Sequence, residues 1–138
     1  MPAGKQIILT RAQRDEMLNH ALQETPNECC GLLIGKGRRV KQVVKIKSDN
    51  PSPDAYYMNA EEQVAVFTEM AARGEELLGI YHSHPKGPAW PSGADLQLAF
   101  HPEVAYFIIS LADMDNPALH AFRIHHGAFE ETAFKLTA

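Results

Sequence analysis

The segment 77-LLGIYHSHPKGPAWPSGADLQLAF-100 joins a strand pattern to a helix pattern through a proline-rich loop. The residues LLGIYHSH are predicted to form a strand, and Ser92 followed by Asp95 is typical of the capping box that begins a helix. Because successive side chains of a strand alternate between its two faces, His82 and His84 are expected to project to the same side. The intervening loop gives the chain room to fold back, so Asp95 is expected to approach both imidazoles.

Outward from this segment, further strand and helix patterns alternate along the chain. Strands are predicted over 5–9, 28–35, 40–47, 77–84, 104–110, 119–127 and 128–136, and helices from 10 to about 22, from 59 to 74 and over 92–100. The first two helix starts rest on N-capping patterns at Thr10 and Asn59, and Gly74 is typical of a helix end. The resulting order, β-α-β-β-α-β-α-β-β-β, predicts an α/β protein with a mixed sheet flanked by helices.

The size and composition of the chain favour one globular domain spanning residues 1–138, with 45% hydrophobic residues available for its core. The formal net charge is −4 and no Lys/Arg-rich run occurs, which argues against a nucleic-acid-binding protein. The N-terminus lacks the apolar stretch of a signal peptide, and no apolar run approaches the roughly 18 residues of a membrane helix, so a cytoplasmic location is expected. Cys29 and Cys30 are adjacent, which excludes a stabilising disulfide framework, and they are expected to be half-buried strand residues.

His82, His84 and Asp95 together make a three-ligand set that leaves a zinc ion one open position for water, the pattern of a catalytic site. Taken alone, each part has a simpler explanation, since two histidines on a strand are often half-exposed and Ser92 with Asp95 is a common helix cap. Glu28 heads a small, apolar strand, where burial of a carboxylate is costly without a partner. It is either a solvated first residue of that strand or, beside a zinc-bound water, a general base and acid.

These residues resemble, at full spacing, the JAMM motif of the Mov34/MPN/PAD-1 family, E…H-[ST]-H-x7-S-x2-D, with Glu28, His82, Ser83, His84, Ser92 and Asp95 at its positions. The segments PNECCGLLIG, DNPSPDAYYMNAEEQ and YHSHPKGPAWPSGADLQLA extend the resemblance and look most like the short bacterial branch of sulfur-carrier-protein peptidases. By resemblance, the fold is the cytidine-deaminase-like α/β/α JAMM/MPN arrangement. The same resemblance implies that Ser83 faces away from the ligands.

The chemistry that the resemblance implies is zinc-dependent hydrolysis of a peptide or isopeptide bond. Zn²⁺ would be held by His82, His84 and Asp95 and would lower the pKa of its bound water, the nucleophile, to roughly 7. Glu28 would take the proton from that water and return it to the leaving amine. Ser92, in addition to capping its helix, would donate to the developing oxyanion.

The substrate that the resemblance implies is a small ubiquitin-like sulfur carrier ending in Gly-Gly, since the chain has no room for the insertions by which eukaryotic members read ubiquitin chains. The carrier tail is expected to lie as an added strand near the zinc. Trp90 is either an exposed wall for that tail or an anchor that holds its loop to the body. Tyr56 and Tyr57 are placed at the border of the groove.

Three other classes of protein compete with this interpretation. A two-histidine, one-carboxylate set also holds Fe(II) in oxygenases, but such a site does not explain Glu28 with Ser92. Zinc nucleoside deaminases require an H-x-E…P-C-x-x-C signature that is absent here. A non-catalytic MPN scaffold is the alternative from outside the enzymes, and such domains typically lack the ligand set that this chain retains.

Overall fold

The described part of the chain, residues 6–138 of a computed structural model, forms one eight-stranded sheet with three helices. The elements are β1 Ile7–Thr10, α1 Arg11–Glu24, β2 Cys30–Lys36, β3 Arg39–Ile46, α2 Ala60–Ala72, β4 Glu76–His84, α3 Gly93–Gln97, β5 Ala105–Ser110, β6 Ala118–His125, β7 Ala128–Thr132 and β8 Phe134–Thr137. Lys5, where the first predicted strand begins, lies outside the described residues. None of the helices in residues 6–138 is long and apolar enough to span a bilayer.

The strand order across the sheet is β7-β6-β5-β4-β2-β3-β1-β8. The pairs β1–β3, β1–β8 and β4–β5 are parallel, and the other neighbours are antiparallel. The mixed sheet predicted from the sequence is therefore confirmed. The single strand predicted over 128–136 is wrong, because the chain leaves β6 after Thr132 and pairs Phe134–Thr137 with β1 instead.

The sheet is strongly curled. Only Ala133 separates β7 from β8, although these two strands stand at opposite ends of the strand order. The two edges must therefore approach each other, and the ring of Phe134 in β8 lies 5.3 Å from that of Phe107 in β5. The change of partner brings Phe134 and Leu136 onto the hydrophobic core, whereas β7 is mostly exposed.

Each face of the sheet is covered by helices, as the predicted α/β/α arrangement requires. Met17 and Ala21 of α1 are buried in one cluster, which also holds Leu9, Leu33, Tyr81, Phe107 and Ile109. The second cluster, with Leu32, Ile80, Ile108 and Phe122 at its centre, packs against Phe67 and Met70 of α2 and Leu96 of α3. The core is thus divided into two layers by the sheet.

The helix starts follow the predicted caps. The Thr10 side chain accepts a hydrogen bond from the Gln13 N–H in a full capping box, and Asn59 accepts from the Glu62 N–H. Gly74 has φ +66°, the left-handed conformation expected just beyond a helix end. The third helix is shorter than predicted, since it begins at Gly93 and ends at Gln97, where Leu98 is the C-cap and donates its N–H to the Ala94 carbonyl.

Both cysteines are buried rather than half-buried, with Cys29 2% and Cys30 0% exposed, and neither forms a disulfide. Gly31, the next residue of β2, is packed so closely that an added Cβ would collide with the ring of Tyr81. The Tyr81 hydroxyl is in turn 2.7 Å from Nδ1 of His20 on α1. This close packing fixes β2 against β4 at the point where the candidate site begins.

Candidate metal centre

Strands β2 and β4 place three of the candidate residues on one face of the sheet. His82 and His84 alternate with the inward-facing Ser83, and Cys30 of β2 lies opposite His82 in the antiparallel register. Extending this register by two residues places Glu28 opposite His84. Directly opposed residues of an antiparallel pair share a face, so Glu28 projects to the same side as the two histidines.

The helix α3 supplies the fourth residue, Asp95, because two hydrogen bonds, at Gly87 and Pro88, hold the loop 85–91 in place. The Ser110 hydroxyl, at the end of β5, donates to the carbonyl of Gly87 at 2.6 Å. Nδ1 of His84 is 2.8 Å from the carbonyl of Pro88. The loop then leads into Ser92, the N-cap of α3, and Asp95 at the third helical position faces back to the histidines.

Three atoms converge at the centre of this arrangement, two imidazole nitrogens and one carboxylate oxygen. Nε2 of His82 is 3.1 Å from Nε2 of His84, and Oδ2 of Asp95 lies 3.1 Å and 2.9 Å from these two atoms. All three residues are at least nine-tenths buried. Ligands around a tetrahedral zinc at 2.0–2.1 Å would stand roughly 3.3 Å apart, only slightly farther than the separations observed.

The hydrogen-bond partners of His84 indicate that this cluster is stabilised by a cation. The carbonyl of Pro88 can only accept, so Nδ1 of His84 carries a proton and its Nε2 presents a lone pair when the ring is neutral. That lone pair faces the carboxylate oxygen of Asp95 at 2.9 Å, a repulsive contact unless a positive charge lies between them. A second proton or a metal ion would supply this charge, and a pair of imidazoles with a carboxylate is a typical zinc-binding set.

The electrostatics of the cluster follow from the same contacts. Burial by itself would raise the pKa of Asp95, but hydrogen bonds with the two histidines outweigh it and hold this pKa well below its usual range. Burial lowers the pKa of His82. Burial also opposes the charged form of His84, yet contacts with Asp95 and the Pro88 carbonyl raise its pKa. The carboxylate of Asp95 is thus the permanently negative group of the centre.

Glu28 is buried rather than solvated, with 5% of its surface exposed. Its Oε1 is enclosed and has no hydrogen-bond partner among residues 6–138. Burial, the largest effect, raises the pKa of Glu28 to about 8. Donor atoms of Glu28, His82 and His84 lie within 4.8 Å of one another, so the carboxyl group stands beside the centre without forming its tightest part. A carboxyl group in this setting is suited to exchange a proton near neutral pH.

The Ser92 hydroxyl accepts a hydrogen bond from the Asp95 N–H at 3.1 Å, while the Ser92 N–H donates to Oδ2 of Asp95 at 2.9 Å. Capping therefore uses a lone pair of the hydroxyl and leaves its proton available. The same carboxylate oxygen serves as helix cap and as part of the converging set. Capping and donation to a substrate oxygen are compatible for Ser92.

Two residues at the centre were not identified, or only vaguely placed, by the sequence. The ring of Tyr56 stacks on His82 at a centroid distance of 4.6 Å, whereas the sequence placed Tyr56 only at the border of a groove. Ser110 holds the loop 85–91 through its hydrogen bond to Gly87. The only feature of the sequence that could have pointed to Ser110 is its position at the end of a buried strand, which pairs in parallel with β4.

A cleft of about 490 Å³ opens beside the centre, lined by Glu28, Pro53, Asp54, His84, Pro85, Lys86, Gly87, Pro88, Trp90, Pro91 and Ser92. Trp90 is 55% exposed, and its neighbour Ala89, at 7%, is the residue that packs into the body. The arrangement favours the interpretation of Trp90 as a wall. Strand β4, which carries the two histidines, is paired on both sides, by β2 and β5, and has no free edge within residues 6–138. The expectation that a substrate tail lies as an added strand near the centre stays a prediction.

Comparison with known proteins identifies the class. Residues 10–125 match the family model described as prokaryotic homologs of the JAB domain, and the chain belongs to this family. It is 33% identical over 128 residues to the CysO-cysteine peptidase of Mycobacterium tuberculosis, covering 91% of this chain and 88% of that protein. It is 37% identical over 97 residues to a probable TtuB-protein conjugate cleaving protease of Thermus thermophilus, covering 70% of this chain and 65% of that protein.

Solved structures agree with this placement. Protein DSY2949 of Desulfitobacterium hafniense superposes with a TM-score of 0.87 at 40% identity, over 96% of this chain and 93% of that one. A structure described as a JAMM metalloprotease-like zinc site has a TM-score of 0.64 at 16% identity, over 97% and 100% of the two chains, and shows the shared fold. The JAMM/MPN fold predicted from the motif is confirmed. The chain is accordingly a hydrolase of the JAMM metallopeptidase class.

We predict that, in the absence of metal, the Glu28→Gln variant becomes more stable relative to the wild-type protein as the pH rises. The folded pKa of Glu28 is raised from 4.5 to about 8, so the native chain holds a proton that the unfolded chain releases. The stability contributed by this group is present in full below about pH 4.5 and is lost as the pH rises through about 8. Urea unfolding of both proteins with a chelator checks this. A difference in unfolding free energy that stays constant over this range would contradict it.

Proposed function

We propose that this protein is a zinc-dependent peptidase or isopeptidase that cleaves the bond after the C-terminal Gly-Gly of a ubiquitin-like sulfur-carrier protein. The observation that carries the proposal is the convergence of the His82, His84 and Asp95 donor atoms within 3.1 Å beside a cleft that Glu28 also lines. A single domain over residues 1–138 and a location in the cytoplasm remain predictions from the sequence.

The zinc ligands in this proposal are His82, His84 and Asp95. Glu28 with the two histidines is the competing set, and its donor atoms lie within 4.8 Å of one another, whereas the proposed three lie 2.9–3.1 Å apart. Asp95 is also the more acidic carboxyl group and is ionised at neutral pH. When bound, zinc would act as a Lewis acid toward the substrate carbonyl and lower the pKa of a water molecule at its open position to roughly 7.

Glu28 acts as the proton carrier. Its carboxyl group lies beside the centre and lines the cleft, and in the metal-free protein burial raises its pKa to about 8. A cation held by the neighbouring ligands would lower this pKa and favour the carboxylate form that accepts a proton. Glu28 takes a proton from the attacking water and delivers it to the nitrogen of the leaving amine. Enclosure of Oε1 keeps bulk water from competing for this proton.

Ser92 donates its free hydroxyl proton to the carbonyl oxygen that becomes negative in the tetrahedral intermediate. One of its lone pairs accepts from the Asp95 N–H, which holds the oxygen in place and leaves the proton free to point into the cleft that Ser92 lines. A donor held in place before the reaction stabilises developing charge more effectively than a mobile one.

The substrate class is supported by the relatives and by the shape of the cleft. The names of the two relatives refer to a cysteine attached to CysO and to protein conjugates of TtuB. The cleft is walled by four prolines and Trp90, which gives it rigid, largely apolar sides. A Gly-Gly tail has no side chains and can bring its carbonyl close to a buried centre. We therefore place the carrier tail between the loop 53–54 and the loop 85–92.

The non-catalytic scaffold is the second candidate, and no feature of the described residues favours it. A scaffold has no need of a buried, unpartnered carboxyl group beside two buried histidines, because each of these burials destabilises the fold. An Fe(II) site would likewise leave Glu28 and Ser92 without a role. Metal analysis of the purified protein separates iron from zinc.

The function is tested by incubating the zinc-loaded protein with a Gly-Gly-ended sulfur-carrier protein that bears a short C-terminal extension. Intact-mass spectrometry is expected to show a product that ends at the second glycine. Addition of a zinc chelator should abolish the product, and restored zinc should return it. Absence of cleavage with this substrate and with a lysine-linked carrier conjugate would reject the proposal in favour of the scaffold.

The roles of Glu28 and His84 are expected to separate in mutants. Glu28→Gln should bind zinc as the wild type does and lose nearly all turnover, because the amide cannot carry the proton. His84→Ala should lose the metal, since a ligand and its contact with Asp95 are both removed. Metal content measured beside the cleavage rate decides the matter. A metal-replete but inactive His84→Ala protein would refute the ligand assignment.

Ser92→Ala is expected to reduce the rate much more than the metal content. Loss of one oxyanion donor typically costs about 3 kcal/mol of transition-state stabilisation, a factor of roughly one hundred in kcat. Thr10→Ala, which removes a comparable helix cap far from the cleft, is the matched control and should leave kcat unchanged. If Ser92→Ala retained full activity, capping would be the only role of this serine.

A further inference from the structure

We propose that Ser83, the residue between the two histidines, is a positioning residue that fixes the direction of Glu28 through a hydrogen bond to Cys29. The proposal rests on the proposed function, in which Glu28 carries the proton. Ser83 itself faces away from the centre and touches neither the cleft nor the converging donor atoms. Its effect would be transmitted through the backbone of the residue that follows Glu28.

The register of β2 and β4 places Cys29 opposite Ser83. Cys30 pairs with His82, so the preceding residue of β2 and the following residue of β4 face each other on the other side of the sheet. Both are buried, with Cys29 2% and Ser83 0% exposed. Cys29 belongs to the core cluster on the α1 side of the sheet. The contact between the two residues is therefore dry and lies directly beneath the candidate metal centre.

The hydrogen bonds of this pair depart from those of a regular antiparallel ladder. The Ser83 N–H donates to the Cys29 carbonyl at 3.2 Å, as such a pair requires. The reciprocal donor, the Cys29 N–H, does not use the Ser83 carbonyl but donates to the Ser83 hydroxyl at 2.8 Å. A hydroxyl thus takes the place of a backbone acceptor at the last step of the ladder.

This replacement marks the point where the chain of β2 separates from β4. Regular strand geometry begins only at Cys30, and Glu28 is already held on its other side by a 2.8 Å hydrogen bond from its N–H to the Ser52 carbonyl. The backbone around Glu28 is therefore held on one side by the loop that contains Ser52 and on the other by the strand that carries the histidines. The hydrogen bond from the Cys29 N–H to the Ser83 hydroxyl is the contact on the strand side.

Removing the hydroxyl has a defined consequence for the geometry. The Cys29 N–H would be left without an acceptor in a dry core, or it would turn to the Ser83 carbonyl and draw the chain toward β4. Because an enclosed donor without a partner is unfavourable, the second response is favoured. The carboxyl group of Glu28 would then shift relative to His84, and a displacement of about 1 Å is enough to slow a reaction by up to a hundredfold.

The test compares Ser83→Ala with Ser83→Thr in the zinc-loaded protein. Ser83→Ala should lower kcat ten- to a hundredfold while KM and metal content stay at wild-type values. Ser83→Thr keeps the hydroxyl and should retain most of kcat. Unchanged kcat in the alanine variant, equal losses in both variants, or loss of zinc in either would overturn the proposal. Thr10→Ala controls for a general loss of stability and should not alter kcat.

Crystal structures of the two variants give a measurement that does not depend on turnover. The carboxyl group of Glu28 should be displaced relative to His84 in the alanine variant and not in the threonine variant. If Glu28 is not displaced in the Ser83→Ala structure, the positioning role is rejected, whatever the cleavage assay shows. Failure of the wild-type protein to cleave any carrier would instead count against the proposed function.

Discussion

The antiparallel pairing of β2 with β4 is the constraint on which the candidate centre depends. With Cys30 opposite His82, one side of the sheet receives Glu28 and both histidines, and the other side receives Cys29 and Ser83. A slip of one residue would send Glu28 into the core beneath the sheet. The close contact of Gly31 with Tyr81 resists such a slip, because any side chain there would collide with the ring. Packing on one face thus secures chemistry on the other.

The candidate centre is costly for the fold. Two imidazoles and two carboxyl groups are buried together, and one carboxyl oxygen of Glu28 has no hydrogen-bond partner in residues 6–138. Such groups destabilise a protein unless a charge or a ligand compensates for them. Concentration of these costs at one end of one cleft is typical of a functional site, where stability is given up for reactivity. The rest of the core is almost entirely apolar.

Local patterns in the sequence predicted the local features of the structure. The alternation of His82 and His84 and the capping boxes at Thr10 and Ser92 depend only on neighbouring residues, and all are observed. Features that depend on distant contacts were missed, such as the stacking of Tyr56 on a histidine. The break at Ala133 was also missed, because the pattern of 128–136 fits a continuous strand and only the partner across the sheet interrupts it. The sequence left Glu28 either solvated or a general base, since burial cannot be read from a strand's first residue, and only the resemblance to the family motif favoured the second role.

The meeting of β1 with β8 ties the two ends of the described chain together. Ile7 is paired with Phe134 and Thr10 with Thr137, and the Thr137 hydroxyl reaches the Leu9 carbonyl across a separation of 128 residues. The edge of β1 that faces away from β3 therefore stays uncovered until β8, at the other end of the described residues, has been synthesised. Contacts of this span are slow to form, and until then the exposed edge offers a template to other chains. Removing or displacing β8 would expose this edge of β1 in the folded protein.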